Sequence, residues 1–306
     1  MSDVTMIGLG PMGQAMTWAL LSGGNTVTVW NRTASRADPL RTAGATLATS
    51  PAEAVQASPV IVLSLTDHAA GDAVLDQVPA PALRGKVLVN LSSDTPDRSR
   101  RSARRAAGVG AQFLTGGVMV PAPMIGRPGA FVYYSGSGQV FDDLAPLLEP
   151  IGEARYLGAD PGLAQLFYQA SLLVFLTSLS GLLNAAALIS AAGAPTRDFL
   201  PDALQLLTGI PAMIGTGEEL STQLETAEHP GDLSNAVMMG ATAEHIVRTA
   251  QSSGVDSELP EAVLSHYQRT IAAGLGGQNW TALYEILRRT PFPSADDRGP
   301  GLAPGR

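Results

Sequence analysis

Gly8-Leu9-Gly10-Pro11-Met12-Gly13 is the stretch that decides how this chain is read. Residues 3–8 (Asp-Val-Thr-Met-Ile-Gly) precede and overlap it as a short strand, and residues 11–22 follow with a helical pattern. A G-x-G-x-x-G turn in that setting has a mechanical meaning. The first glycine permits the tight turn, the second lets the backbone approach a pyrophosphate, and the third lets helix and strand pack closely. The helix N-terminus offers its unpaired N–H groups to phosphate. Gly8, Leu9, Gly10, Pro11, Met12 and Gly13 are therefore read as dinucleotide contacts.

Working outward, residues 26–30 (Thr-Val-Thr-Val-Trp) alternate and read as a second strand. Ser50-Pro51-Ala52-Glu53 reads as a helix start, with a Ser N-cap, Pro at the first position and Glu placed to complete a capping box. Residues 59–65 and 86–91 are continuous apolar runs, as strands covered on both faces would be. Thr95-Pro96-Asp97 opens another helix, Gln112–Leu114 reads as a strand followed by a Gly/Pro loop at 116–121, and residues 130–135 read as a later strand. Alternating strand and helix through about residue 157 predict an α/β domain with a mostly parallel sheet.

After Pro161 the strand signals stop. One long helix is expected, broken at Gly193-Ala194-Pro195-Thr196, then helices over 196–208, 211–227, 234–252 and 259–274 and a short one near 280–288. The expected organisation is a Rossmann domain over 1–160, an interdomain helix over 161–192, a helical domain over 193–290 and a disordered tail over 291–306, rich in Pro and Gly.

The 306 residues carry a formal charge of −8, and Lys86 is the only lysine among 19 basic residues. No basic run suggests nucleic-acid binding. Without cysteine, disulfides, Cys–zinc sites, iron–sulfur clusters and thiol catalysis are excluded. His68, His229, His245 and His266 are scattered and form no metal motif, and the last three are read as surface or capping residues. The N-terminus lacks the pattern of a secretion signal, so a cytoplasmic location is expected.

Pro161–Thr196 contains no charged residue and could span a bilayer by length. Gln165, Tyr168, Gln169, Ser171 and Asn184 interrupt it, however, and no Trp belt or basic cluster flanks it. The reading is a helix buried in protein on nearly all sides, which calls for a second subunit rather than a membrane.

The end of the second strand bears on which dinucleotide. Sites for NAD usually place Asp or Glu about 20 residues after the loop, on the ribose 2′-OH. Here that place holds Asn31, followed by Arg32, Thr33 and Arg36. These offer neutral and cationic donors, and the arginine fork suits a 2′-phosphate. NADPH is expected rather than NADH.

GLGPMG, VWNRT at 29–33, NLSSDTP at 90–96 and GGVMVPAPMIG at 116–126, with the uncharged helix and the later helix order, resemble the imine reductases, which include the reductive aminases. The resemblance covers about residues 3–290. VMVP with MIG is fairly specific, whereas the glycine loop and NRT are shared with the wider β-hydroxyacid dehydrogenase superfamily. The resemblance implies an α/β Rossmann domain, a long interdomain helix and an all-α C-terminal domain, in a reciprocally intertwined homodimer. It also implies reduction of cyclic or aryl imines with NADPH, or reductive amination. Leu65, Thr66, Asn90 and Ser92 would then contact the cofactor, with Met119, Val120 and Pro121 near its ring. Ser234, Asn235, Met238 and Met239 of the partner subunit would line the substrate space.

Two other readings compete. β-Hydroxyacid dehydrogenases share the architecture, but their mechanism needs a lysine on the interdomain helix, and no lysine lies between Tyr156 and Thr196. Carbonyl reduction develops an alkoxide that a cationic or strongly acidic donor should stabilise, whereas an iminium brings its own positive charge. A non-catalytic NADP(H)-binding scaffold is the other alternative, favoured if Tyr168 faces away from the cofactor.

In the family a residue on the long helix, most often Asp but Tyr in a subgroup, faces the nicotinamide. Alignment on Gly162-Leu163-Ala164 places Tyr168 there, and a shift of one position would offer Phe167 or Gln169. A phenol is protonated at neutral pH and can donate to a substrate nitrogen. Asn184 lies 16 residues further along the helix, about four and a half turns away, too far to join it.

Overall fold

The computed structural model describes residues 1–288. The expected tail over 291–306 falls outside the described residues. The chain divides into two compact units, one ending at Val174 and the other beginning at Phe175.

The first unit alternates strand and helix: β1 (Val4–Ile7), α1 (Pro11–Ser22), β2 (Val27–Trp30), α2 (Asp38–Thr42), β3 (Thr46–Leu47), α3 (Pro51–Ala57) and β4 (Val60–Leu63). It continues with α4 (His68–Leu75), α5 (Ala80–Leu83), β5 (Val87–Asn90), α6 (Pro96–Gly108), β6 (Gln112–Val118), β7 (Phe131–Gly136), α7 (Gly138–Leu148) and β8 (Glu153–Tyr156). The eight strands form one sheet in the order β3-β2-β1-β4-β5-β6-β7-β8. Every pairing is parallel except β6 with β7. The sheet reverses its winding direction between β1 and β4, where dinucleotides cross a sheet of this topology.

β1 and β4 are buried at every position. Helices cover both faces, so alternate residues enter different cores: Met6, Val29 and Leu114 on one side, Ile7, Ile61 and Leu88 on the other. This explains why those strands read as unbroken apolar runs.

Local signals account for most helix starts. Pro51 and Pro96 follow Ser50 and Thr95, whose hydroxyls accept from the N–H of Glu53 and Arg98. The capping box at α3 is displaced by one residue. Glu53 accepts from Thr49 N at 2.7 Å and Thr49 Oγ1 at 2.5 Å, so its carboxylate reaches back past Ser50. The Thr49 hydroxyl holds the Glu53 carboxyl below the usual carboxylate range.

The expected Gly/Pro loop at 116–121 begins later than the sequence suggests. Gly116, Gly117 and Val118 belong to β6 and pair with Tyr134, Tyr133 and Val132 of β7. Glycine in a strand marks close approach rather than a loop. A β-carbon on Gly116 would lie 2.7 Å from Leu91 Cδ2, and one on Gly117 2.7 Å from Tyr168 Cβ.

Helix α8 (Leu163–Ala191) begins in the first unit and runs into the second. The second unit continues with α9 (Thr196–Ile214), α10 (Gly217–Thr226), α11 (Ala236–Ser252), α12 (Glu258–Thr270) and α13 (Leu283–Leu287). The break expected between 208 and 211 does not occur. α9 runs through Pro211 and stops at Gly215 (φ +90°), and Thr216 starts α10 with a capping box to Glu219. His229, expected at the surface, is buried, with Nδ1 at 2.8 Å from Thr281 Oγ1.

The expectation of burial for α8 is not met within one chain. Only Ala164 and Gln165 are buried, and Leu173, Val174 and Leu183 are more than two-thirds exposed. By length and composition α8 is able to cross a membrane.

Candidate active site

The glycine turn sits at the carboxyl ends of β1 and β4. Gly8 takes φ +100°, and a β-carbon there would fall 2.1 Å from Ser64 O. One on Gly13 would fall 1.9 Å from Gly8 O, so α1 packs directly on the turn. The turn is closed from β2: Asn31 Oδ1 accepts from Leu9 N at 3.0 Å, and Asn31 Nδ2 donates to Thr33 O at 3.0 Å.

In front of this turn lies a cleft of about 630 Å³ lined by Gly8, Gly10, Pro11, Met12, Asn31, Arg32, Thr33, Arg36, Leu65 and Thr66. The sequence-predicted set thus comes together, with two qualifications. Leu9 is fully buried and contributes its N–H to Asn31 rather than lining the cleft. Asn31 Oδ1 and one N–H of its Nδ2 hold the turn, which leaves the second N–H, together with the exposed Arg32, Thr33 and Arg36, as donors toward the cleft. Sequence reasoning missed the opposite wall, Ala70, Ala73, Val74 and Gln77 of α4 and its end. Small residues at successive helical turns were the available signal. The cleft fits a dinucleotide phosphate: a turn whose Gly8 and Gly13 leave no room for a side chain, a helix N-terminus and two guanidinium groups with no ion pair among the described residues.

A second cleft of about 150 Å³ shares Met12, Ser64, Leu65 and Thr66 with the first. It is completed by Leu91, Ser93, Gly116, Gly117, Val118, Gln165 and Tyr168, and none of these side chains is charged. Of the three register choices on α8, Tyr168 lines this cleft. Phe167 is exposed and meets the Tyr133 ring edge-on at 5.5 Å, and Gln169 bonds Ser93 and Asp94. The Tyr168 hydroxyl has no hydrogen bond among the described residues.

Other expected contacts are placed differently. Asn90 and Ser92 are buried and hold the loop itself. Asn90 Oδ1 accepts from Ser92 N at 2.9 Å, and Ser92 Oγ accepts from Leu65 N at 3.0 Å. Asn90 also lines a separate cavity of about 190 Å³ behind the sheet, between α4, α5 and α6. Ser93, which the sequence reading passed over, faces the cleft in their place. Val120 packs on the core, and Met119, Val120 and Pro121 are not among the residues lining either cleft.

The first turn of α8 is fixed from several sides. Asp160 Oδ1 accepts from Gly162 N at 2.9 Å, and both Asp160 oxygens are gripped by Arg100 at 2.7–3.2 Å. The Arg100 guanidinium holds the Asp160 carboxyl below its ordinary range. Ser135 Oγ accepts from Ala164 N at 2.9 Å.

In the second unit, Asn235 caps α11, its Oδ1 accepting from Met238 N at 3.0 Å. Met238 and Met239 are exposed on the first turn of that helix, and Ser234 precedes the cap. Asn184 Nδ2 donates to Asp256 O at 2.9 Å.

Comparison with known proteins agrees with this architecture. The family profile described as "NADPH-dependent reductive aminase-like, C-terminal domain" matches residues 160–289, and that of the "NAD binding domain of 6-phosphogluconate dehydrogenase" matches residues 3–159. The NADPH-dependent reductive aminase of Aspergillus oryzae is 33% identical over 93% of this chain and 97% of its own length. Among solved structures, an imine reductase of Streptomyces aurantiacus is 41% identical, with TM-score 0.85 over 93% of this chain and 99% of that one. A reductive aminase of Aspergillus terreus, in complex with NADPH and ethyl levulinate, is 32% identical with TM-score 0.88 over 94% and 99%. The chain belongs to the imine reductase and reductive aminase family, a group of NADPH-dependent oxidoreductases built from a Rossmann domain and a helical C-terminal domain.

Proposed function

We propose that this protein reduces imines or iminium ions to amines with NADPH, and that Tyr168 faces the reacting C=N bond. The observation that carries the reading is that Tyr168, whose hydroxyl has no hydrogen bond among the described residues, lines a cleft that shares Met12, Ser64, Leu65 and Thr66 with the dinucleotide cleft. NADPH, when bound, supplies the hydride that the imine carbon accepts.

The chain's own groups do the rest. The glycine turn and α1 receive the pyrophosphate, and Arg32, Thr33 and Arg36 receive the 2′-phosphate. Tyr168 hydrogen-bonds the nitrogen of a neutral imine and holds it in line. That nitrogen takes one proton, from the Tyr168 hydroxyl or from water, as the carbon takes the hydride, whereas an iminium already carries the proton and takes the hydride alone. The uncharged lining offers no counter-charge to an anion, so a reaction whose product is a neutral amine fits it better than one that develops an alkoxide. A hydroxyacid carboxylate would find no cation in this cleft, and a developing alkoxide no lysine. Cyclic or aryl imines suit such a wall.

A second copy of the chain completes the reading. It would cover the exposed apolar length of α8 in an intertwined homodimer, and its Ser234, Asn235, Met238 and Met239 would close the substrate space. Met238 and Met239 supply the apolar surface, since Asn235 is occupied as a cap. Gln165 and Gln169 anchor the start of α8 to the sheet loops, which supports a protein partner over a lipid one. The reading divides the chain into a cofactor domain to about residue 160, an interdomain helix to 192 and a helical domain to 290. A cytoplasmic setting, with its supply of NADPH, suits the reaction.

The experiment is an NADPH-oxidation assay with 2-methyl-1-pyrroline, run beside NADP⁺ reduction with 3-hydroxyisobutyrate. Turnover of the first alone is expected. Turnover of the second alone would move the protein to the β-hydroxyacid dehydrogenases, and binding of NADPH with neither turnover would leave a scaffold.

A further inference from the structure

Gln165 is fully buried, three residues before Tyr168 on the first turn of α8. Its carboxamide is engaged on both ends. Nε2 donates to Ser92 O at 3.1 Å and to Gly116 O at 3.0 Å, and Oε1 accepts from Asp94 N at 3.1 Å. One turn on, Gln169 Nε2 donates to Ser93 Oγ at 3.2 Å and Asp94 O at 3.1 Å. Residues four apart share a helix face, so the pair straps α8 to the loop after β5. Gln165 alone also reaches β6, next to the glycine on which Tyr168 rests. The strap extends to α4 through Asp94, whose Oδ2 accepts from His68 N at 3.1 Å.

Tyr168 needs this support because its hydroxyl has no hydrogen bond among the described residues to fix it. Its ring position follows from the rotation and height of α8 over Gly117. Those two quantities are set by a side chain that donates to two carbonyls and accepts from one N–H, and carboxamide is the neutral group that does both.

We propose that Gln165 is a positioning residue for the reaction: its three hydrogen bonds to Ser92, Asp94 and Gly116 hold Tyr168 at the height required for imine reduction. This rests on the reading that Tyr168 faces the reacting bond.

The informative substitution is Gln165→Glu, which keeps the shape and removes the donors. The introduced carboxylate would face the Ser92 and Gly116 carbonyl oxygens. When protonated, it recovers one of the two lost hydrogen bonds. Burial and the Asp94 carboxylate on the neighbouring loop both favour the protonated form. The other titratable groups nearby are Tyr168 on the same helix and His68 behind Asp94, and the β6 residues in the cleft, Gly116, Gly117 and Val118, carry none.

With 2-methyl-1-pyrroline, kcat of Gln165→Glu should fall by at least about tenfold at pH 9 relative to the wild type. The ratio of variant to wild type should recover as the pH is lowered to 6, while the Kd for NADPH stays within about threefold. Wild-type kcat throughout, a loss that does not vary with pH, or an equal loss of NADPH affinity would each overturn the proposal. Gln165→Asn serves if the Glu variant does not fold. It keeps the amide on a shorter stem, and unchanged kcat there is also an overturning result. The same substitutions in a Tyr168→Phe background separate the two claims. Wild-type kcat in Tyr168→Phe alone removes the reading of Tyr168. A slow Tyr168→Phe in which the Gln165 effect is undiminished removes the proposal and leaves that reading standing.

Discussion

Gly117 and Tyr168 touch across the boundary between sheet and long helix: a β-carbon on Gly117 would lie 2.7 Å from Tyr168 Cβ and 3.0 Å from its Cγ. The strand backbone is the seat of the tyrosine ring. Gly117→Ala should therefore push Tyr168 out of line while leaving the dinucleotide cleft intact. Misplacement by about 1 Å can cost on the order of 10²-fold in rate. Steady-state assays should show that loss in kcat, with the NADPH Kd unchanged. Equal activity of Gly117→Ala would mean that α8 yields without consequence.

Tyr168→Phe removes one hydroxyl and keeps the ring. If the hydroxyl donates the proton, kcat should drop by about 10²–10⁴ with little change in KM. If it only orients the nitrogen while water supplies the proton, the drop should be nearer tenfold, about 1.4 kcal/mol. A solvent-isotope comparison of the two enzymes distinguishes the cases.

The donors proposed for the 2′-phosphate are Arg32, Thr33 and Arg36, with the one Asn31 N–H that the glycine turn does not use. Replacing Arg32 and Arg36 together by Ala should raise KM for NADPH far more than for NADH, at about 1.5–3 kcal/mol per lost charge-assisted bond. Asn31→Ala should weaken both cofactors alike, because it loosens the turn that receives the pyrophosphate they share. Titration of each variant with both cofactors checks this.

Leu183 lies on α8 at 69% exposure in the single chain. A homodimer covering this helix should bury more than about 2,000 Å², and light scattering at micromolar concentration should show no monomer. Leu183→Asp should dissociate it, or drive aggregation, and abolish turnover while the first unit still binds NADPH. An active monomer would leave the apolar helix unexplained.

His68 is fully buried, with Nδ1 at 3.1 Å from Ser102 Oγ. Burial pushes its pKa below the ordinary 6.5, against the opposing pull of Asp94 and Asp72. The unfolded chain therefore takes up this proton first as pH falls. The contribution to stability is complete above about pH 6.5 and declines below it, towards the lower folded value. The wild-type Tm should fall between pH 7.5 and 5.5, and His68→Asn should reduce that slope. His266, also shifted down by burial, adds a slope of the same sign that remains in the variant. An unchanged slope in His68→Asn would place the acid sensitivity elsewhere.

What the sequence determined by itself was the part encoded locally. A glycine turn between strand and helix, Pro after a capping hydroxyl, and apolar runs of strand length each act within a few residues, so α1, α3, α6 and the central strands could be read directly. The absent lysine and the uncharged helix were equally legible, because they concern residue type alone. The tertiary structure decided the assignments that depend on a distant partner. Asn31 reads only as a phosphate donor until its Oδ1 is seen to accept from Leu9 N, 22 positions earlier, and so to hold the turn as well. Ser92 turns inward to Leu65 N, 27 positions away, leaving Ser93 to the cleft. The glycines at 116 and 117 read as loop because glycine usually breaks strands. Only the proximity of Leu91 and Tyr168 shows why a strand needs them there. Side-chain hydrogen bonds and close packing between segments far apart in sequence leave no periodic trace along the chain. For that reason the fold was largely written in the order of residues, while the roles of Asn31, Ser92, Gln165 and Gly117 emerge only where the chain meets itself.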